Sequence, residues 1–117
     1  MHALIVEDDL ALQGVLVALF EQEGWTCARA GNGGRALDHL GIEEVDVVVT
    51  DLMMAGTDGF HLLDGMQTRG LRLPVYVFSA APPSQLDRAR SHPLAPRVIP
   101  KSRGALALLE AVSGATA

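Results

Sequence analysis

The sequence has few of the residues that build cross-linked or membrane-spanning proteins. Cys27 is the only cysteine in a chain of 117 residues, which excludes a disulfide framework within the chain. No apolar run reaches the ~18 residues of a membrane span, and no basic leader precedes the first apolar stretch. We therefore expect a cytoplasmic protein that does not enter a membrane.

Positive charge is also scarce. The net charge is -5, which argues against direct binding of nucleic acid by this chain and against attraction to anionic membranes. Lys101 is the only lysine, although the chain is otherwise rich in arginine. The histidines are scattered, and none forms a pair at zinc-ligand spacing with a second histidine or cysteine: His2, His39, His61 and His92.

The length and composition fit one globular domain, which we expect to span residues 1–117. Hydrophobic residues make up 49% of the chain and charged residues 20%. A chain of this size buries enough apolar surface to fold without a disulfide or a structural metal.

Short apolar runs alternate with segments of helical spacing along the whole chain. The runs predict five strands, and the segments between them predict five helices. The strands are predicted near residues 3–6, 25–29, 45–50, 74–78 and 97–99. The helices are predicted at 10–22, 36–40, from 60 to near 70, at 85–90 and at 105–112. This alternation is typical of an α/β protein with a doubly wound, five-stranded parallel sheet.

The helical spacing also predicts which side chains face the core. In the first helix the apolar stripe includes Val15, and in the last helix Leu106 and Leu109 are expected to point inward. Asp9 and Asp58 precede helical segments and are predicted to cap them.

Polar residues follow four of the predicted strands. Glu7 and Asp8 follow the first strand, Asp51 the third, Ser79 the fourth and Lys101 the fifth. In parallel α/β sheets ligand sites lie at the carboxyl ends of the strands, so these groups are expected at one edge. Carboxylates there suit Mg²⁺, and an aspartate can act as a nucleophile that forms an acyl phosphate.

The same segments carry a resemblance to the receiver domain of bacterial two-component response regulators, and it covers essentially the whole chain. The matching segments are Leu4-Ile5-Val6-Glu7-Asp8-Asp9, Asp51-Leu52-Met53-Met54-Ala55-Gly56-Thr57-Asp58-Gly59, Val77-Phe78-Ser79-Ala80 and Pro100-Lys101. The resemblance implies a flavodoxin-like (βα)5 fold with strand order 2-1-3-4-5. It also implies a signalling domain, not an enzyme in the usual sense, that catalyses only its own phosphotransfer and slow autodephosphorylation.

The resemblance implies a role for each site residue. Asp51 is the expected phosphoacceptor, which receives the phosphoryl group from a sensor histidine kinase or a histidine phosphotransfer protein. Ser79 is the expected switch hydroxyl, and Lys101 is expected to pair with the phosphoryl group. The expected Mg²⁺ ligands are Glu7, Asp8, Asp51 and the backbone carbonyl of Met53. The output partner cannot be named from the residues.

Three positions depart from the family pattern and keep other interpretations open. Ala55 stands where the family usually has proline, Ser102 stands where proline usually follows the lysine, and Val98 replaces a common aromatic residue. One alternative is therefore a degenerate receiver that binds its partner without phosphorylation. Another is a Mg²⁺-dependent phosphatase, which would need an aspartate at the position of Met53.

Overall fold

The computed structural model describes residues 1–54 and 58–116. The five strands are β1 (His2–Val6), β2 (Thr26–Ala30), β3 (Val47–Thr50), β4 (Val75–Ser79) and β5 (Arg97–Pro100). The five helices are α1 (Leu10–Gln22), α2 (Gly33–Leu40), α3 (Gly59–Thr68), α4 (Pro83–Arg90) and α5 (Ala105–Thr116). A short 3-10 helix, Lys101–Arg103, follows β5 and was not predicted. Ala55 and the rest of the loop before Asp58 lie outside the described residues.

All five strands pair in parallel in the order β2-β1-β3-β4-β5, which confirms the predicted fold class. In the register Val6 lies beside Ala30 on one side and beside Thr50 on the other. β1 and β3 therefore end at matching heights, and β4 and β5 end together two residues further along, which brings the site residues to one edge of the sheet.

The core has two layers because the sheet is covered on both faces. Along β1, Leu4 and Val6 belong to one buried cluster, while Ala3 and Ile5 belong to the other. The first cluster includes apolar residues of α2, α3 and α4, and the second includes residues of α1 and α5. A strand buried on both faces needs an unbroken apolar run, and β1 and β3 both have one.

The predicted elements are confirmed, but several details of the prediction were wrong. Val15 is 50% exposed and Leu106 is 63% exposed, so neither faces the core as expected. Leu108 and Val112 fill the inward positions of α5 together with the correctly predicted Leu109. The reason is that α5 opens with a nearly continuous apolar run, which leaves the phase of the helix undetermined by spacing alone.

The predicted helix caps are confirmed. The side chain of Asp9 accepts hydrogen bonds from the backbone N–H groups of Ala11 and Leu12, at 3.0 and 3.2 Å. The side chain of Asp58 accepts one from His61 N at 2.9 Å. Among the described residues, no helix has both the length and the apolar character needed to cross a bilayer.

Candidate functional site

Backbone hydrogen bonds extend the sheet by one residue beyond the ends of β1 and β3. The N–H of Asp51 donates to the carbonyl of Val6 at 3.2 Å, and the N–H of Glu7 donates to the carbonyl of Ala30 at 3.0 Å. Glu7 and Asp51 are therefore held as sheet neighbours rather than as loop residues. Both are buried, with 2% and 5% of their surface exposed.

Lys101 joins these two carboxylates. Its Nζ lies 2.7 Å from Glu7 Oε1 and 2.6 Å from Asp51 Oδ2, so one ammonium donates to both. The short 3-10 helix after β5 begins at Lys101, which places its side chain at the same edge of the sheet. Charge-assisted hydrogen bonds of this length are among the stronger polar contacts in proteins.

The rest of the Asp51 side chain is held by the backbone immediately after it. Oδ1 accepts from the N–H of Leu52 at 2.7 Å and from the N–H of Met53 at 3.1 Å. The hydroxyl of Thr50 donates to the Asp51 carbonyl at 2.8 Å. Each carboxylate oxygen of Asp51 thus has a defined partner, and the side chain is pre-oriented.

The site carries more negative than positive charge. Burial raises the pKa of Glu7 above its ordinary value, and the nearby charge of Asp51 raises it further, while Lys101 opposes both. Burial alone would lower the pKa of Lys101, but its hydrogen bonds to Asp51 and Glu7 outweigh burial and raise it. Lys101 therefore stays protonated, and its single positive charge does not balance the negative charge of the carboxylates.

Asp8 and Met53 lie beside this cluster. Asp8 directly follows Glu7, is exposed, and donates its backbone N–H to Glu7 Oε2 at 3.0 Å. The side chain of Met53 is 54% exposed, and its N–H contacts Asp51 as described above. Both residues are at the expected edge, while the role of the Met53 carbonyl stays a prediction.

Ser79 is fully buried at the end of β4. Its Oγ accepts a hydrogen bond from the N–H of Ala81 at 3.1 Å. Ser79 and Lys101 line one surface cavity of about 350 Å³, together with residues at the start of α4. Ser79 and Lys101 therefore border the same cavity at the sheet edge, and the Ser79 hydroxyl holds the backbone that leads into α4.

Two residues that support the site were not singled out from the sequence. Gln13 is buried in α1, and its Nε2 donates to the carbonyls of Glu7 and Ala30, at 3.1 and 3.3 Å. Gly59 packs so tightly that a Cβ there would collide with the carbonyl oxygen of Asp51. Gln13 could have been identified from the sequence, because it is a polar residue at a core-facing position of a helix and a buried amide needs hydrogen-bond partners.

Val98 lies in the middle of β5 and is half-buried, packed against the core cluster that includes α4. The position thus belongs to the layer between the sheet and α4. A valine has one short, branched side chain with a stiff first torsion, so it cannot make the large swing that an aromatic ring can make.

Comparison with known proteins gives one family. The family profile described as the response regulator receiver domain matches residues 3–113. The DNA-binding transcriptional regulator NtrC of Escherichia coli is 36% identical over 87 residues, which are 74% of this chain and 18% of that protein. The transcriptional activator PfeR of Pseudomonas aeruginosa is 38% identical over 77 residues, 66% of this chain and 25% of PfeR. The chain therefore spans a small part of these relatives' length.

Solved structures agree on the fold. A receiver domain of a Francisella response regulator superposes with a TM-score of 0.86 at 24% identity, covering 96% of this chain and 93% of that one. The response regulator TrrA of Thermotoga maritima, solved in complex with Mg²⁺-BeF, gives a TM-score of 0.84 at 23% identity, covering 97% and 96%. At these identities the likeness establishes the fold and nothing finer.

Proposed function

Because this chain belongs to the response regulator receiver family, we propose that Asp51 accepts a phosphoryl group from a histidine kinase or a histidine phosphotransfer protein. The family works in phosphorelay signalling, and its members are signalling domains. The observation that carries the assignment to Asp51 is the contact of one ammonium with two buried carboxylates. Within the part of the chain that the structure describes, the ion pairs seen for Lys101 are those with Asp51 and Glu7.

The donor set fits Mg²⁺. Glu7, Asp8 and Asp51 provide three carboxylates against one ammonium; burial raises the pKa of Glu7, and the nearby charge of Asp51 raises it further. Hard oxygen ligands with room for water are what Mg²⁺ prefers. Asp8 and Asp51 would hold the ion with the carbonyl of Met53, and Glu7 would act through water. When bound, the ion offsets charge on the phosphoryl oxygens.

The transfer itself needs little chemistry from the protein beyond positioning. A carboxylate oxygen of Asp51 attacks phosphorus, a P–O bond forms, and the P–N bond of the phosphohistidine breaks. The electron pair of that bond leaves with the imidazole of the donor. Lys101 Nζ, now 2.6 Å from Asp51 Oδ2, moves to pair with a phosphoryl oxygen, which keeps the ammonium at the new negative charge.

In this proposal, Ser79 couples phosphorylation of Asp51 to a change in the β4–α4 segment. Its hydroxyl turns to donate to a phosphoryl oxygen, which gives up the hydrogen bond from the Ala81 N–H. That bond holds the segment before α4, and α4 begins at Pro83 without a side-chain cap. The loss of one backbone constraint then shifts the population of the β4–α4 segment. The valine at position 98 does not make the ring movement that an aromatic residue would make during this change.

Neither alternative is supported by a specific contact. The degenerate receiver rests on Val98 and Ser102, whereas Glu7, Asp51 and Lys101 are in direct contact. A phosphatase needs a proton donor two residues after the nucleophile, and the thioether of Met53 cannot supply a proton.

We propose further that residues 1–117 act as one receiver domain in the cytoplasm, where the kinase presents its phosphohistidine. The family match over residues 3–113 supports one receiver domain in this chain. We propose that the output partner, whether on the same chain or another, contacts the β4–α4 segment and the face around the last helix, α5.

The experiment is phosphorylation by a small phosphodonor in the presence of Mg²⁺, followed by intact mass spectrometry. The wild type should gain one phosphoryl group, and a chelator should prevent the gain. Asp58→Asn keeps a helix-capping side chain and serves as the matched control, which should be modified like the wild type. A wild type that gains nothing, or an Asp51→Asn variant that gains as much, would contradict the assignment.

A further inference from the structure

A second cluster of ligating groups lies at the other end of the sheet. His2 begins β1, His39 lies in the last turn of α2, and Glu43 follows that helix. One ring nitrogen from each histidine and one carboxylate oxygen of Glu43 all lie within 4.8 Å of one another. The five residues of β1 separate this cluster from Glu7 by about 16 Å, so the two sites are distinct.

The two ring nitrogens are unusual in their surroundings. Nε2 of His2 and Nε2 of His39 are both buried, and neither makes a well-oriented hydrogen bond in the described part of the chain. Both nevertheless lie beside Glu43 Oε1, which contacts His2 directly and is 3.7 Å from His39 Nε2. Buried polar atoms in native proteins are nearly always satisfied, so two such atoms facing one carboxylate point to a shared ligand.

A hydrogen bond at the other ring nitrogen orients the imidazole of His2. His2 Nδ1 is 2.7 Å from the hydroxyl oxygen of Thr26, and that hydroxyl donates in turn to the carbonyl of Met1 at 3.5 Å. In the tautomer with its proton on Nδ1, the ring donates to Thr26 Oγ1 and keeps a lone pair on Nε2 for a ligand. Metal-ligating histidines are oriented in this way by a partner at the other nitrogen.

The backbone holds the three groups in place. The His2 N–H donates to Asp46 Oδ2 at 2.6 Å, and the N–H of Asp46 donates to the His2 carbonyl at 2.7 Å. The N–H groups of Ile42 and Glu43 both donate to the His39 carbonyl at 3.0 Å, which closes the turn after α2. Glu43 therefore returns to the same side as His39, four residues earlier.

We propose that His2, His39 and Glu43 bind a divalent transition metal ion, with Zn²⁺ the best match. Two imidazole nitrogens and one carboxylate are a common protein ligand set for Zn²⁺, with a further position for water. Imidazole ligands distinguish this site from the oxygen-rich cluster at Asp51, because Mg²⁺ prefers oxygen. The ion ties the start of β1 to the end of α2 and so stabilises the folded chain.

The test is Zn²⁺ binding to the untagged chain, measured by competition with a chromophoric chelator in saturating Mg²⁺. The wild type should bind one Zn²⁺ ion. His39→Gln and His2→Gln should each weaken binding about tenfold or more, as loss of a ligand requires. His61 is exposed on α3, so His61→Gln is the matched control and should bind like the wild type. Asp51→Asn should also bind normally.

Four results would overturn the proposal. These are a wild type that binds no Zn²⁺, a His39→Gln variant that binds as well as the wild type, a His61→Gln variant that is weakened equally, and loss of binding in Asp51→Asn. Nitrogen NMR of the imidazoles gives a second readout that does not depend on how well the variants fold. Zn²⁺ should shift Nε2 of His2 and His39 and leave His61 and His92 unchanged. Equal shifts in all four rings would contradict a specific site.

Discussion

The ammonium of Lys101 lies 2.6 Å from Asp51 Oδ2, although 50 residues separate them in the sequence. The same nitrogen is 2.7 Å from Glu7 Oε1, 94 residues away. One side chain thus joins the ends of three strands, and its charge makes the close approach of two buried carboxylates tolerable.

Replacement of this lysine by an uncharged side chain should expose the repulsion that it offsets. Without Mg²⁺, Lys101→Met should lower the free energy of unfolding by about 2–3 kcal/mol, because two carboxylates lose their shared ammonium while Lys101 itself is partly exposed. Added Mg²⁺ should stabilise the variant more than the wild type. Urea denaturation with and without Mg²⁺ measures both effects.

The control for that variant is Arg103→Met, which removes a positive charge from an exposed position two residues away. It should change the free energy of unfolding by less than about 0.5 kcal/mol. If Mg²⁺ stabilises Lys101→Met no more than the wild type, the acidic cluster is not the ion's site.

Gly59→Ala should displace the loop that carries Asp51. The new Cβ would collide with the Asp51 carbonyl oxygen and lie 2.8 Å from Leu52 Cα, and backbone atoms cannot give way cheaply. We expect a loss of about 1–3 kcal/mol in the free energy of unfolding and slower phosphorylation. Denaturation curves and a phosphorylation time course provide the measurements.

Gly14→Ala is the matched substitution in α1, where a Cβ meets no atom within 4 Å. It should stabilise the chain by about 0.5–1 kcal/mol, because alanine favours a helix interior. Equal effects of the two substitutions would show that the contact between Gly59 and Asp51 is unimportant.

Gln13→Leu should weaken the loop that carries Glu7 and Asp8. The substitution removes both hydrogen bonds of the amide and leaves the Glu7 carbonyl without that donor, at a cost of about 1–3 kcal/mol. Mg²⁺ affinity should fall with stability, and isothermal titration calorimetry measures it. Gln85→Leu, at an exposed position of α4, should leave both quantities unchanged. Unchanged Mg²⁺ affinity in Gln13→Leu would refute the supporting role.

Cys27 provides a prediction on pH. Burial raises the pKa of its thiol above the ordinary value of 9.0, and the charge of Glu21 raises it further, against a smaller opposing effect of Arg29. A higher pKa means less thiolate at a given pH, so alkylation by iodoacetamide should be slow near neutrality, with a midpoint above pH 9.0.

Glu21→Gln should lower that midpoint, whereas Glu23→Gln, at an exposed neighbouring position, should not. The chain unfolded in urea provides the reference rate. A midpoint at or below 9.0 in the folded protein would contradict the assigned effect of burial.

Sequence reasoning predicted that Glu7, Asp51 and Lys101 lie together because their positions depend on the regular part of the fold. Unbroken apolar runs mark strands covered on both faces, and parallel strands bring the residues at their carboxyl ends to one edge. Predicting the positions of Glu7, Asp51 and Lys101 therefore required only that the strand ends be predicted correctly. Errors of one or two residues in the bounds of β2 and β3 did not affect that prediction.

The residues that were missed depend on contacts between distant parts of the chain. The spacing of His2 and His39 in the sequence does not predict that they lie close together, because the start of β1 and the end of α2 meet only once the sheet has formed. Gln13 was hidden within an apolar stripe, since spacing predicts that a position is buried but not what a polar group there bonds. Leu106 was misplaced because a continuous apolar run gives a helix no unique inward face.

The most direct test is the position of the phosphoryl group in the phosphorylated wild type. Borohydride reduces an aspartyl phosphate to homoserine, which peptide mass spectrometry can locate in the chain. The structure predicts homoserine at position 51 alone, because Asp51 is the aspartate that contacts Lys101. Homoserine at Asp8 or Asp58, or none after a demonstrated mass gain, would contradict the central claim.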